Sequence, residues 1–379
     1  MVNYDSGLIY WIWLSQINGI GPVIAKLLLN VFKTPQNIYK STKGELMSIH
    51  GIGNVTADII FDSKSLACAE EILNKCKKLD IRILTHEEFL YPPEVKNIKK
   101  SPILLYYRGK LIEDSMGVAI VGSRRCTEYG KRLTVEAAEF LAQNNIPVIS
   151  GMAKGIDGYA QTVCLKEGGY TLAILGCGVD ICYPKEHVDL MKKIIEVGAV
   201  ISEYPPGTKP NPNYFPMRNR LISAWCKKLL VVEAGDKSGS LLTAGFAKEQ
   251  NRQVFAAPNS IYSRESMGTN KLISEGAQIY LTPSQLLLDH MRIPIVDNEK
   301  ESIVPLGEDL TSLEKIILTE MGASAVTVNE LLFKLKGDRS DILEAISIME
   351  LMGRIINVAG KYKMTLHCPP KGSDTCKKM

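Results

Sequence analysis

From residue 118 to residue 281 the chain alternates short, continuously apolar runs with longer amphipathic stretches. The apolar runs are 118–121, 147–150, 171–175, 199–202, 229–232, 254–257 and 278–281, and the amphipathic stretches between them include 131–142 and 241–250. Strands that are apolar at every position, each joined to the next through a helix, predict a parallel sheet covered on both faces, the doubly wound α/β arrangement. Before this block, 81–111 reads as short and strand-like, punctuated by Pro92, Pro93 and Pro102 with 103–109 as one clear strand and turn, and fits an added edge on the next domain.

The flanks follow other periods. Residues 8–76 read as helices separated by short glycine turns, two of which repeat: Ile17-Asn18-Gly19-Ile20-Gly21-Pro22 and Ile49-His50-Gly51-Ile52-Gly53-Asn54. Paired Gly-Ile-Gly turns mark a helix-hairpin-helix (SAM-like) module, in which glycine lets backbone N–H groups approach a phosphate. The same glycines also suit a plain tight turn between helices, and few Lys or Arg flank them. Residues 291–307 carry prolines and acids without periodicity and read as a linker. Helices at 313–319, from Thr327 to Leu335, and at 342–352, followed by strand-like 354–358 and 361–364, describe a winged helix. Its third helix holds Asp341 and Glu344 rather than base-reading side chains, so packing or protein contact is the better reading there. The expected division is 1–76, 81–290, the linker, 308–366 and a frayed tail at 367–379.

Composition narrows the field modestly. A chain of 379 residues exceeds one ordinary core, and a formal charge of +4 permits a polyanionic partner without requiring one. Nine scattered cysteines with no Cys-x-x-Cys pair fit a reducing cytosol and argue against a structural metal. The opening Met1-Val2-Asn3-Tyr4-Asp5 lacks a basic region ahead of its short apolar run, so neither export nor a membrane anchor is expected.

Nucleotide chemistry is the first function to test on such a sheet. No Gly-x-x-x-x-Gly-Lys-Ser/Thr occurs, and Gly176-Cys177-Gly178 has no third glycine, so neither an NTPase nor a dinucleotide enzyme is expected. Four segments that follow strands offer groups for phosphate instead: Gly122-Ser123-Arg124, Ser150 to Asp157 with Lys154 and Gly155, Phe215 to Arg220, and Ala234 to Ser240. Neighbouring parallel strands bring their carboxyl ends to one crevice, where Arg124, Lys154, Arg218, Arg220 and helix N-termini would converge. None of the five histidines lies in these segments, which leaves no evident acid, base or activated nucleophile, and no cofactor is expected. Phe215 is either a stacking face for an unpaired base or a core plug.

These segments, in this order, resemble the DNA-processing protein A family (DprA, also called Smf). The resemblance runs through 118–124, 150–157, Leu175 to Asp180 with Tyr183-Pro184, Ser202 to Gly207, Asn213 to Ser223, and Val232 to Gly235 with Ser238 to Ala244. It implies a cytosolic protein that binds single-stranded DNA, shields it from nucleases and helps load the RecA recombinase on strands covered by single-strand binding protein, in the service of natural transformation. It also implies an extended Rossmann-like domain that forms a homodimer, without catalysis. Carried onto this chain, Gly122, Ser123 and Arg124 form the phosphate loop, Lys154 and Gly155 the second loop, and Arg218, Asn219 and Arg220 the Arg-Asn-Arg segment. Ser238, Gly239 and Ser240 add a further phosphate turn, and Phe215 takes the base-stacking position. Met152, Cys177 and His187 depart from the usual residues. The alternative is a related nucleoside-monophosphate hydrolase or nucleotide-binding carrier, with Glu233 as a base that has no partner. A regulator acting through the winged helix is a third reading, disfavoured by the acidic helix.

Overall fold

The computed structural model describes residues 7–288, 312–321, 326–335, 337, 339–351, 354–358 and 361–364. The chain separates into two compact units, Met1–Asp289 and His290–Met379.

In the first unit, six helices come first: Leu8–Gln16, Pro22–Phe32, Pro35–Lys40, Lys43–Met47, Asn54–Asp62 and Ala67–Lys78. Their boundaries follow local chemistry. Thr34 caps the third helix by accepting from the Asn37 N–H with Pro35 at the first position, and Thr42 with Glu45 forms a reciprocal capping box on the fourth. The repeated glycine turns are one structure built twice. Gly19 and Gly51 sit at φ 84° and 93°, and Gly21 and Gly53 precede their helices at φ −80° and −87°. The N–H groups of Ile20 and Ile52 donate to the carbonyls of Ile17 and Ile49 at 3.1 and 3.0 Å.

A nine-stranded sheet follows, with β1 Arg82–Thr85, β2 Leu104–Gly109, β3 Gly117–Val121, β4 Val148–Ser150, β5 Thr171–Ile174, β6 Ala199–Ser202, β7 Cys226–Val231, β8 Gln253–Ala256 and β9 Gln278–Ile279. The order is β1-β2-β6-β5-β4-β3-β7-β8-β9. Pairings from β6 through to β9 are parallel, whereas β1 with β2 and β2 with β6 are antiparallel. The doubly wound reading therefore holds, and the added edge expected from 81–111 is the antiparallel pair β1 and β2, with β1 outermost. Alternation along β2 places Leu104 and Tyr106 in one core and Leu105 and Tyr107 in the other. The first core is shared with the helices of residues 8–78, through Trp11, Leu14, Leu28 and Ile60; the second gathers around Trp225 and Tyr91.

The sheet positions the site through its strand order. β3 is followed in sequence by β4 on one side, but its other neighbour is β7, so the order reverses between them. Such a switch point opens a crevice beyond the carboxyl ends of the strands. No helix among the described residues is long and apolar enough to cross a membrane.

The second unit has helices Ser312–Met321, Val328–Lys334 and Arg339–Leu351 and a three-stranded antiparallel sheet. β10 is Val326–Thr327, β11 is Ile355–Val358 and β12 is Lys361–Met364, in the order β10-β12-β11. Its core contains Ile317, Leu331, Ile342, Ile346 and Ile355. The three helices and the hairpin occur where the pattern placed them, and β10, two residues long, was not foreseen. The expected linker at 291–307 and tail at 367–379 lie outside the described residues.

Candidate nucleic-acid interface

A crevice of about 660 Å³ opens at the switch point. Gly122, Ser123 and Arg124 from the end of β3, Phe215, Arg218 and Asn219 from helix Tyr214–Ala224, and Ser238, Gly239 and Ser240 at the start of helix Gly239–Glu249 all line it. Lys154 lines a small recess beside it together with Arg124, Phe215 and Arg218. The topology thus brings together segments lying more than a hundred residues apart in sequence.

The first loop is fixed from below. Ser123 Oγ accepts the Arg125 N–H at 3.1 Å and donates to the Arg125 carbonyl at 2.9 Å, closing a tight turn that leaves Arg124 exposed. No acidic side chain pairs with Arg124 among the described residues. Its guanidinium carbon instead sits 5.9 Å from the centre of the Phe215 ring, a cation–π distance. Glu233, buried at the end of β7, accepts from both the N–H and the hydroxyl of Thr127, the cap of helix Glu128–Gln143. From sequence alone Glu233 has no evident partner. The fold supplies one, so its carboxylate is committed to holding this loop and is unsuited to the base role of the alternative reading.

The second loop rests on two buried charged side chains, each bonded to backbone. Asp157 accepts the Gly151 N–H at 3.1 Å, and Arg218 donates to the carbonyls of Gly151, at 2.7 Å, and Ile174. Burial pushes the Asp157 carboxyl up from its ordinary range, and the charge of Arg218 opposes that shift. Gly151 is required here because a Cβ would lie 2.6 Å from the Arg218 guanidinium. Gly155, at φ 75°, approaches the first loop so closely that a Cβ would collide with the Ser123 carbonyl. His187, distant in sequence, places Nδ1 3.1 Å from the Met152 carbonyl. Arg218, buried and bonded to backbone carbonyls, is therefore as much a strut between the loops as a charge on the crevice wall.

Lys154 is exposed and paired with Glu186, whose carboxyl it holds below the usual range. Asn219 links the two helices of the site: its amide donates to the Gly239 carbonyl at 3.1 Å and its oxygen accepts from Arg218 Nε at 3.1 Å. Ser238 caps helix Gly239–Glu249, accepting from the Ser240 N–H at 3.4 Å, so the positive end of that helix faces the crevice. Phe215 is half-buried, packed 5.4 Å from the Tyr183 ring while keeping one side on the crevice.

Arg220 is not among the residues lining the crevice. It is buried and ion-paired with Glu203. Residues two apart on a helix point about 200° from one another, so Arg218 and Arg220 cannot share a face. Lys237, exposed on the loop after β7, does line the crevice and was not selected from the sequence, although its segment was.

Residues 82–290 match the family of DNA recombination-mediator protein A, and residues 14–62 match a SAM-like helix-hairpin-helix tandem. The chain belongs to the DNA recombination-mediator protein A family. Among the family's curated proteins, it is 36% identical over 304 residues to "Protein Smf" of Synechocystis, covering 79% of this chain and 76% of that protein. It is 40% identical over 200 residues to "DNA processing protein DprA" of Streptococcus pneumoniae, covering 52% of this chain and 71% of that one. The solved structure of DNA processing protein A from Streptococcus pneumoniae aligns with a TM-score of 0.64 at 32% identity, over 74% of this chain and 95% of that one. That of the Helicobacter pylori protein, described for its single-stranded DNA binding mode, aligns with a TM-score of 0.50 at 29% identity, over 57% of this chain and 97% of that one. The family resemblance carried by the crevice motifs is thus shown, and the helix-hairpin-helix reading of the N-terminal repeats with it.

Proposed function

We propose that the crevice binds single-stranded DNA and that the protein acts by binding rather than by catalysis. The observation that carries this is the exposed Arg124, free of any acidic partner among the described residues, set over the Phe215 face beside a capped helix N-terminus. A guanidinium and oriented backbone dipoles neutralise phosphate, while an aromatic face accepts an unpaired base of any identity. Ser123, Lys237 and Ser238 to Ser240 extend the phosphate-facing wall, and Lys154 contributes once phosphate displaces Glu186.

Binding of this kind shields a strand from nucleases. Within the same reading the protein competes with single-strand binding protein and presents the strand to the RecA recombinase during natural transformation, with a homodimer placing two crevices on one strand and raising effective concentration. The second unit, read as a winged helix, contributes packing or protein contact.

The test is a titration of labelled poly-dT by fluorescence anisotropy at several salt concentrations, with duplex as competitor. Arg124→Ala is expected to weaken binding about tenfold and to reduce the log–log salt slope by about 0.7, the value of one phosphate contact on a single strand. An unchanged slope would remove Arg124 from the interface, and a preference for duplex would overturn the reading.

A further inference from the structure

A second concavity, of about 470 Å³, lies where helix Gly239–Glu249 ends. That helix has 11 residues, so this concavity is about 16 Å from the crevice at the helix start. Lys99, Lys100, Arg220 and Arg252 line it against Glu94 and Glu249. The arginines are incompletely used. Arg220 is 4% exposed and gives one nitrogen to Glu203, while its Nε and its other terminal nitrogen have no hydrogen-bond partner; Arg252 donates to the Ala224 carbonyl at 3.0 Å, but its Nε has none. Buried guanidinium donors left unpaired are costly unless something fills them.

The surroundings strengthen this positive field. Lys26, reaching from helix Pro22–Phe32, donates to the carbonyls of Lys96 and Ile98 and so pins the loop that carries Lys99 and Lys100. Burial and the charge of Arg220 lower the Lys26 ammonium from its ordinary value, and His86 is lowered by burial and by the charges of Lys26 and Lys96.

Resting on the reading of the crevice as a single-strand site, we propose that this concavity is a second phosphate-binding site, entered by the same DNA strand after it leaves the crevice. The strand runs alongside helix Gly239–Glu249, and its phosphates meet the exposed Lys99 and Lys100 at the mouth, with the guanidinium charges of Arg220 and Arg252 behind them. The Arg-Asn-Arg segment then serves both sites, Arg218 at the crevice and Arg220 here.

The full-length chain is titrated with poly-dT of about three and about thirty nucleotides, lengths that bracket the site sizes of single-strand binders, the shorter too short to reach from the crevice to the second concavity. Lys99→Glu with Lys100→Glu is expected to weaken the long oligonucleotide about tenfold and to lower its salt slope by about 1.4, two phosphates' worth, while the short one loses less than about twofold. Lys192→Glu with Lys193→Glu, an equal charge reversal on another exposed helix, controls for the general field, and Lys99→Gln with Lys100→Gln gives a milder version should the reversal fail to fold. Equal losses for both lengths, or a loss matched by the control, would overturn the second site, as would no loss for the long oligonucleotide. An Arg124→Ala protein that bound both lengths like wild type would instead remove the crevice.

Discussion

The N-terminal hairpins and the crevice loops both turn toward a helix through glycines at positive φ, Gly19 and Gly51 at φ 84° and 93° two residues before their helix caps and Gly155 at φ 75° as the cap itself. Their surroundings differ. The hairpins seat Ile17, Ile20, Ile49 and Ile52 in an apolar core, and the nearby charges are spent within the protein, Lys43 on Asp58 and Lys26 on backbone carbonyls. At the crevice, the glycines clear space for a buried guanidinium and a neighbouring carbonyl, and exposed cations remain at the rim. A glycine turn ahead of a helix is a geometry shared by both; the side chains around it decide whether an anion is received.

Substitutions turn that contrast into numbers. Arg218→Ala removes the bonds to the Gly151 and Ile174 carbonyls and the positive charge that offsets the buried Asp157 carboxylate, and is expected to cost about 3–5 kcal/mol by chemical denaturation; a cost below about 1 kcal/mol would show that Arg218 is not what supports the second loop. Gly155→Ala places a methyl against the Ser123 carbonyl in a left-handed conformation, with an expected loss of about 2–3 kcal/mol and of DNA affinity together. Gly51→Ala carries only the conformational penalty, about 1 kcal/mol, since its nearest neighbour would be Leu27 at an ordinary 3.5 Å. Gly53→Ala, with nothing within 4 Å and negative φ, is expected to change stability by less than about 0.5 kcal/mol and to leave poly-dT binding intact. A drop in affinity for Gly53→Ala comparable to that for Arg124→Ala would make the hairpins a DNA contact and erase the distinction.

The sheet was legible because each parallel strand is apolar throughout and bounded by polar helices; the expected 171–175 and 199–202 differ from β5 and β6 by at most one residue. β7 begins three residues earlier than its apolar run, at Cys226, because Lys227 and Lys228 interrupt the pattern while Cys226 and Lys228 pair with β3 and the register shifts across Lys227. β10 escaped notice since two residues carry no period. At the crevice, the loops could be read from glycines and bases in order. The roles of Arg218 and Arg220 could not be separated without applying the helical turn to their spacing. Glu233 and His187 were beyond reach, because Thr127 and Met152 become their neighbours only once the sheet has assembled.

The apolar core that joins residues 8–78 to β2, β5 and β6 bears on how the chain tolerates being cut. Asp80, exposed and at φ 50°, lies in the connection between helix Ala67–Lys78 and β1, where a protease would find it. The two fragments are expected to stay associated and to co-elute, because each remains the other's solvent shield: Trp11, Leu14 and Leu28 on one fragment and Tyr106, Ala173 and Val200 on the other belong to the same interior. The peptide link at this point is a convenience of synthesis, and the cohesion of the unit resides in its side chains.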